Sequence, residues 1–169
     1  MQATELSSSF VTVLDDHKGI VFKIANAYCQ QEEDRKDLIQ EIITQLWRSF
    51  SNYNDEFKYS TWIYRIALNT AISFYRKERK RKDVNADMPD EILHLSDANT
   101  NTEKEHQLHF LQQCIAELKE LDKAIMILYL EEKSHKEIAG ITGISETNVA
   151  TKIGRIKQLL KQKFLQIKD

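Results

Sequence analysis

The chain has 169 residues, of which 41% are apolar and 30% charged, so it can bury one ordinary core or two small ones and still remain soluble. It holds four glycines and one proline, none of them between Ile20 and Met88, which excludes a hairpin-rich β fold and makes the chain all-α. The formal net charge of −2 excludes a uniformly basic nucleic-acid binder, but the charges are segregated along the chain, and local charge decides phosphate binding.

The opening MQATELSSSF has no basic segment followed by an apolar one, and the longest apolar run, Ala124 to Leu130, is far shorter than the roughly 20 residues that cross a bilayer. A cytosolic protein without membrane insertion is expected. From Phe10 to Tyr28 the apolar residues Phe10, Val13, Leu14, Val21, Ile24 and Ala25 predict a helix with one buried face. A second helix begins near Asp34 and turns Leu38, Ile39, Ile42, Ile43, Leu46, Trp47 and Phe50 inward. Its opposite face, Asp37, Gln40, Glu41, Thr44 and Arg48, is polar throughout.

The polar break SNYNDEFKY follows, with Ser60 expected to cap a third helix that runs from Thr61 into the basic block RKERKRK at 76–82. Residues 83–102 hold the only proline and a cluster of Asn, Asp, Ser and Thr without helical period. They read as an acidic linker between a domain at 1–82 and a second at 103–169. A helix from about Glu103 to Leu118 then leads into LKELDKAIMILYLEE. Ser134 and Glu137 have the spacing of a capping box, Gly143 supplies a tight turn, and Ser145 is placed to start another helix.

That arrangement is the grammar of a helix-turn-helix. In its second helix Val149, Ile153, Ile156 and Leu160 face inward, leaving Ser145, Glu146, Thr147, Asn148, Thr151, Lys152 and Arg155 outward. A helix presenting its first turns to the major groove reads base edges with Thr and Asn and holds phosphates with Lys and Arg. A second signal is aromatic: nine of fifteen aromatic residues lie between Trp47 and Tyr75. Trp47, Phe50, Trp62 and Phe74 fit core positions, whereas Tyr53, Phe57 and Tyr59 flank a polar loop where no core requires them. Exposed rings beside a basic run are what unpaired bases stack on.

Catalysis has no visible constellation: there is no phosphate loop, nucleophile elbow or HExxH motif. His106 and His109 share a helical face with Cys114 nearby, but a fourth ligand is missing. Cys29 and Cys114 suit buried thiols better than a disulfide. Neither enzyme activity, cofactor, metal nor small-molecule substrate is expected.

The segment DLIQEIITQLWRSFSNYNDEFKYSTWIYRIALNTAISFYRKERKRK resembles region 2 of extracytoplasmic-function (ECF) sigma factors of the sigma-70 family, and AIMILYLEEKSHKEIAGITGISETNVATKIGRIKQLL resembles their region 4. The resemblance implies an alternative sigma factor that binds core RNA polymerase, directs it to promoters and assists melting. By position, Asp37, Gln40, Glu41, Thr44 and Arg48 would dock on the coiled coil of the largest polymerase subunit. Asn52, Tyr53, Asn54, Phe57, Lys58, Tyr59, Ser60, Thr61, Arg65, Asn69, Arg76 and Lys77 would engage the −10 element, and the helix from Ser145 the −35 element. Ser73, Ala150 and Lys152 depart from the family's usual residues, and Gly154 loosens the recognition helix, so the −35 preference is this chain's own.

Two other readings compete: a LuxR-type helix-turn-helix regulator, which would need an α/β domain upstream, and a helical protein-binding adaptor. Permanently exposed DNA faces also imply that the free protein folds its modules together or is held by an anti-sigma factor. If the basic faces hold phosphates, affinity for duplex DNA should fall steeply between about 50 and 200 mM salt in a fluorescence titration. A flat salt response, or no binding at low salt, would favour the adaptor.

Overall fold

A computed structural model describes residues 2–84 and 102–168. These form seven helices: α1 (Gln2–Tyr28), α2 (Glu32–Phe50), α3 (Tyr59–Val84), α4 (Glu103–Ala116), α5 (Glu120–Leu130), α6 (His135–Thr142) and α7 (Glu146–Lys168). No strand occurs among the described residues. Most of the segment expected to be an acidic linker lies outside them.

Helices α1 to α3 pack on one another around Val21, Ile24 and Ala25 of α1, Leu38, Ile42 and Leu46 of α2, and Ile63, Ala67, Leu68 and Ala71 of α3. The spacing of these residues explains the helices: each presents one apolar stripe, which alone would be unstable in water. In the second group α5 is central. Six consecutive residues, Lys123 to Leu128, are buried because neighbours cover it on several sides. A smaller cluster joins Cys114, Ile115 and Leu118 to Met126, Ile156 and Leu160, tying α4 to α5 and α7.

The two groups are not separate bodies. The larger core continues from α1–α3 into Ala124, Ile125, Ile127 and Leu128 of α5, Ile138 and Ile141 of α6, and Val149 and Ile153 of α7. Helix α3 lies against α5 and α6 as well as α1 and α2.

Local chemistry sets the turn before α7. Ser134 Oγ accepts from the Glu137 backbone N–H while the Glu137 carboxylate accepts from Ser134 N–H, a reciprocal cap on α6. Gly143 closes that helix in the left-handed region, φ 80°, where a Cβ would be strained. Ser145 Oγ then accepts from Asn148 N–H at 3.1 Å and starts α7. All three roles match the sequence expectation.

Other boundaries differ from it. Helix α1 starts at Gln2 rather than near Phe10, because its first two turns are exposed and Leu6, their one large apolar side chain, sets no helical period. Ser60 is not a cap: α3 has already begun at Tyr59, and Trp62 N–H donates to the Lys58 carbonyl. Trp47 is 44% exposed, resting edge-on against Phe10 at the rim of the core rather than inside it.

Gly154 lies inside α7, where an added Cβ would meet nothing within 4 Å. Gly154→Ala should therefore raise stability by about 1 kcal/mol through helix propensity alone, read from urea unfolding. A loss of stability would show that α7 departs from a regular helix there.

Candidate nucleic-acid interface

Helix α2 holds its polar stripe in solvent. Asp37, Gln40, Glu41 and Arg48 are exposed and Thr44 is half-buried, its hydroxyl donating to the Gln40 carbonyl at 2.8 Å. Between this helix and α3 runs an open groove of about 450 Å³ that brings Glu41 together with Asn69 and Lys77. Gln45, Thr70, Ser73 and Phe74 complete it. Gln45 and Thr70 carried no sequence signal, since a groove between two helices appears only once they are packed.

The loop between α2 and α3 is tightly organised. Asp55 takes a positive φ of 31°, and the Tyr53 hydroxyl donates to the Phe57 carbonyl. Tyr53 stacks on Tyr59 with centroids 4.3 Å apart, and both meet the Trp62 ring. Phe50 extends the cluster towards Phe10. The expectation that no core requires Tyr53 and Tyr59 is therefore corrected: both are half-buried parts of a ring stack that closes this end of the bundle. Phe57 is different, being 45% exposed with the Arg65 guanidinium 5.4 Å above its ring.

Around Phe57 the exposed set is Asn52, Asn54, Lys58 and Arg65, with Ser60 and Thr61 half-buried on the first turn of α3. Asn69, Arg76 and Lys77 follow along the exposed side of that helix. On α7 the residues Glu146, Thr147, Asn148, Thr151 and Arg155 stand outward together with the capping Ser145. Their helix is oriented by Val149, Ile153, Ile156 and Leu160, all buried as their spacing requires. Lys152 is half-buried instead, its ammonium 3.2 Å from the Asp122 carboxylate of α5.

Two of the cations on α3 also turn towards the second group. Arg65 donates to the Gly140 carbonyl, and Arg76 lies 3.8 Å from the Glu120 carboxylate. Phe57, Thr61 and Arg65 consequently share a cleft with Lys136, Glu137 and Gly140 of α6. Sequence alone gave no sign of that cross-group cleft.

Comparison with known proteins places this geometry. The Sigma-70 region 2 model matches residues 13–81, and the Sigma-70, region 4 model matches residues 111–160. The chain is 31% identical over 153 residues to the RNA polymerase sigma factor SigV of Bacillus subtilis (strain 168), covering 89% of this chain and 88% of SigV. The chain belongs to the ECF group of the sigma-70 family.

The ECF RNA polymerase sigma factor SigM of the same bacterium is 25% identical over 145 residues, with 83% of this chain and 86% of SigM aligned. Among solved structures, sigma factor RpoE of Bartonella quintana, in complex with the anti-sigma factor NepR, has a TM-score of 0.67 at 16% identity. That match covers 98% of this chain and 99% of RpoE. CnrH, in complex with the cytosolic domain of CnrY, gives 0.65 at 17% identity over 94% of this chain and 88% of CnrH. These two show a shared fold. This ECF factor is an alternative sigma factor that directs RNA polymerase to promoters, and its partners are core polymerase and promoter DNA. The region 2 match occupies the stretch where a LuxR-type regulator would need its α/β domain, and that alternative is set aside.

The division among the loop rings is testable. Tyr59→Ala, which removes a ring packed against those of His17, Phe50, Tyr53 and Trp62, should cost about 1–3 kcal/mol in urea unfolding. Phe57→Ala, at an exposed ring, should stay within about 0.5 kcal/mol of the parent.

Proposed function

We propose that this sigma factor divides its work by surface. The α2 stripe Asp37, Gln40, Glu41, Thr44 and Arg48 docks on the coiled coil of the polymerase's largest subunit. The α2–α3 loop and α3 capture the −10 element and assist melting, with Phe57 receiving an unstacked base and Asn69, Arg65, Arg76 and Lys77 contacting bases or backbone. Helix α7 reads the −35 element through Thr147, Asn148 and Thr151. Ser145 and Glu146 border its entry, and Arg155, with Lys152 once released from Asp122, holds phosphates. Residues 1–82 and 103–169 act as two weak grips whose affinities combine through the 83–102 connection. The work is non-catalytic and cytoplasmic, and a partner of the anti-sigma kind would cover the α2 stripe.

The observation that carries this reading is the coincidence of an outward polar stripe on α2 with an outward set on the first turns of a serine-capped α7.

The test is co-purification with bacterial core RNA polymerase, followed by run-off transcription from a genomic fragment pool of the host. Glu41→Lys should reduce polymerase capture and leave DNA contacts intact. Asn148→Ala should leave capture unchanged and lower promoter selectivity by about tenfold, the loss of one good base contact. Equal effects of both changes on both assays would overturn the division.

A further inference from the structure

The two cysteines differ in what surrounds them. Cys114 is 3% exposed in the smaller apolar cluster, with Ile115, Met126 and Leu160, and burial pushes its thiol pKa up. Cys29, just past the end of α1, instead lines a cavity of about 330 Å³ where α1, α3 and α5 meet. Exposed Gln31 and Arg79 also line it, so the cavity opens to solvent although the thiol itself is buried. Water takes about 30 Å³ per molecule in the liquid, so a molecule of a few heavy atoms fits.

Lys123 lines the same cavity. It is only 3% exposed, the single charged side chain in the buried set, and none of the ion pairs among the described residues includes it. Its ammonium lies 4.8 Å from the Tyr28 centroid and 5.3 Å from that of Tyr75, so ring faces hold it rather than a carboxylate. Its pKa is lowered by burial, while Cys29 as thiolate and Glu120 act in the opposite sense. That attraction is mutual: a thiolate that favours the ammonium is favoured by it.

The other charged groups act more weakly on the thiol. From α2 and α3, Asp34 and Glu78 are half-buried and Arg79 is exposed, so water screens them more than it screens Lys123. On α5, Glu120 has Arg76 as its partner. The Tyr28 phenol stays protonated, its pKa pushed up by burial, and donates to the Glu120 carbonyl at 2.7 Å. Burial and the C-terminal end of α1 both disfavour an anion at Cys29, which leaves Lys123 as the buried group that favours the reactive form.

We propose that Cys29 is a hydroperoxide-reactive thiol, with Lys123 as its positioning cation and the cavity as the entry for the oxidant. The Cys29 thiolate attacks one oxygen of hydrogen peroxide, and the S–O bond forms as the O–O bond breaks. The departing hydroxide takes up the proton that the thiol released. Thiol and peroxide thus become sulfenic acid and water, the sulfur oxidised and the peroxide reduced. This site is independent of which faces meet DNA or polymerase.

The test treats the folded full chain with hydrogen peroxide at about pH 7 beside dimedone, which traps sulfenic acids, and reads each cysteine by peptide mass spectrometry. Cys29 should be labelled at least about tenfold faster than Cys114, as expected for a thiolate-favouring site against an apolar one. Iodoacetamide, which does not titrate, then reads the thiolate fraction across the pH range. Removing the cation disfavours the thiolate, so Lys123→Met should move the midpoint of Cys29 alkylation up by about one pH unit and leave that of Cys114 unchanged.

Equal labelling of both thiols, the pattern of a reaction that waits for global unfolding, would overturn the site, and so would labelling of neither. A lower plateau rate with an unchanged midpoint in Lys123→Met would show altered access alone and overturn the role of Lys123. If that variant loses helix content by circular dichroism, the comparison of Cys29 with Cys114 in the parent chain decides the site.

Discussion

Helix α3 packs against α1 and α2 on one side and α5 and α6 on the other, and the remaining arrangement follows from that double burial. Ile63, Ala67 and Ala71 repeat every four residues, with Tyr64 and Leu68 beside them, so the apolar arc is broad enough to serve two neighbours. The small Ala67 and Ala71 permit close approach. Hydrophobic contact alone would allow the second group to slide along this surface, because apolar burial has no direction. Tyr64 and Tyr75, which face Lys133 and Lys123, and Arg65 and Arg76, which meet Gly140 and Glu120, remove that freedom.

Surfaces that α3 does not reach stay open. The α2 stripe faces away from the junction of the two groups, and the first turns of α7 project beyond the residues that anchor it. Contact between the two groups thus engages Arg65 and Arg76 of α3, while the α2 stripe stays in solvent. Lys23 of α1 also pairs with Glu131 just beyond α5, adding a charged contact between the two groups.

Much of this was legible in the sequence because it depends on local chemistry. The capping box at Ser134, the glycine at 143 and the buried stripe of α7 are each set by residues within a turn or two of one another. The polar face of α2 was equally plain, since seven apolar residues on one side fix what lies on the other. What escaped notice was tertiary. Tyr53 and Tyr59 looked free because their loop is polar, yet they stack on each other across it and both meet the Trp62 ring edge-on. Lys123 precedes an apolar run and carries no mark of burial in the sequence, since the rings of Tyr28 and Tyr75 that face its ammonium come from other helices. Glu132, with φ 61°, turns the chain between α5 and α6 where no glycine announces a turn.

The pairing of Lys152 with Asp122 has a consequence for exchanging parts between relatives. A recognition helix is commonly thought of as portable, its outward residues transplantable onto another scaffold without reference to the rest. Here one outward residue is answered by a carboxylate on α5, so grafting α7 alone would leave Asp122 facing whatever residue the donor supplies. Arg65 and Arg76 are bound by the same rule to Gly140 and Glu120. The outward residues and the packing beneath them are therefore inherited together in this chain, and a chimera that keeps these contacts must carry both sides of each.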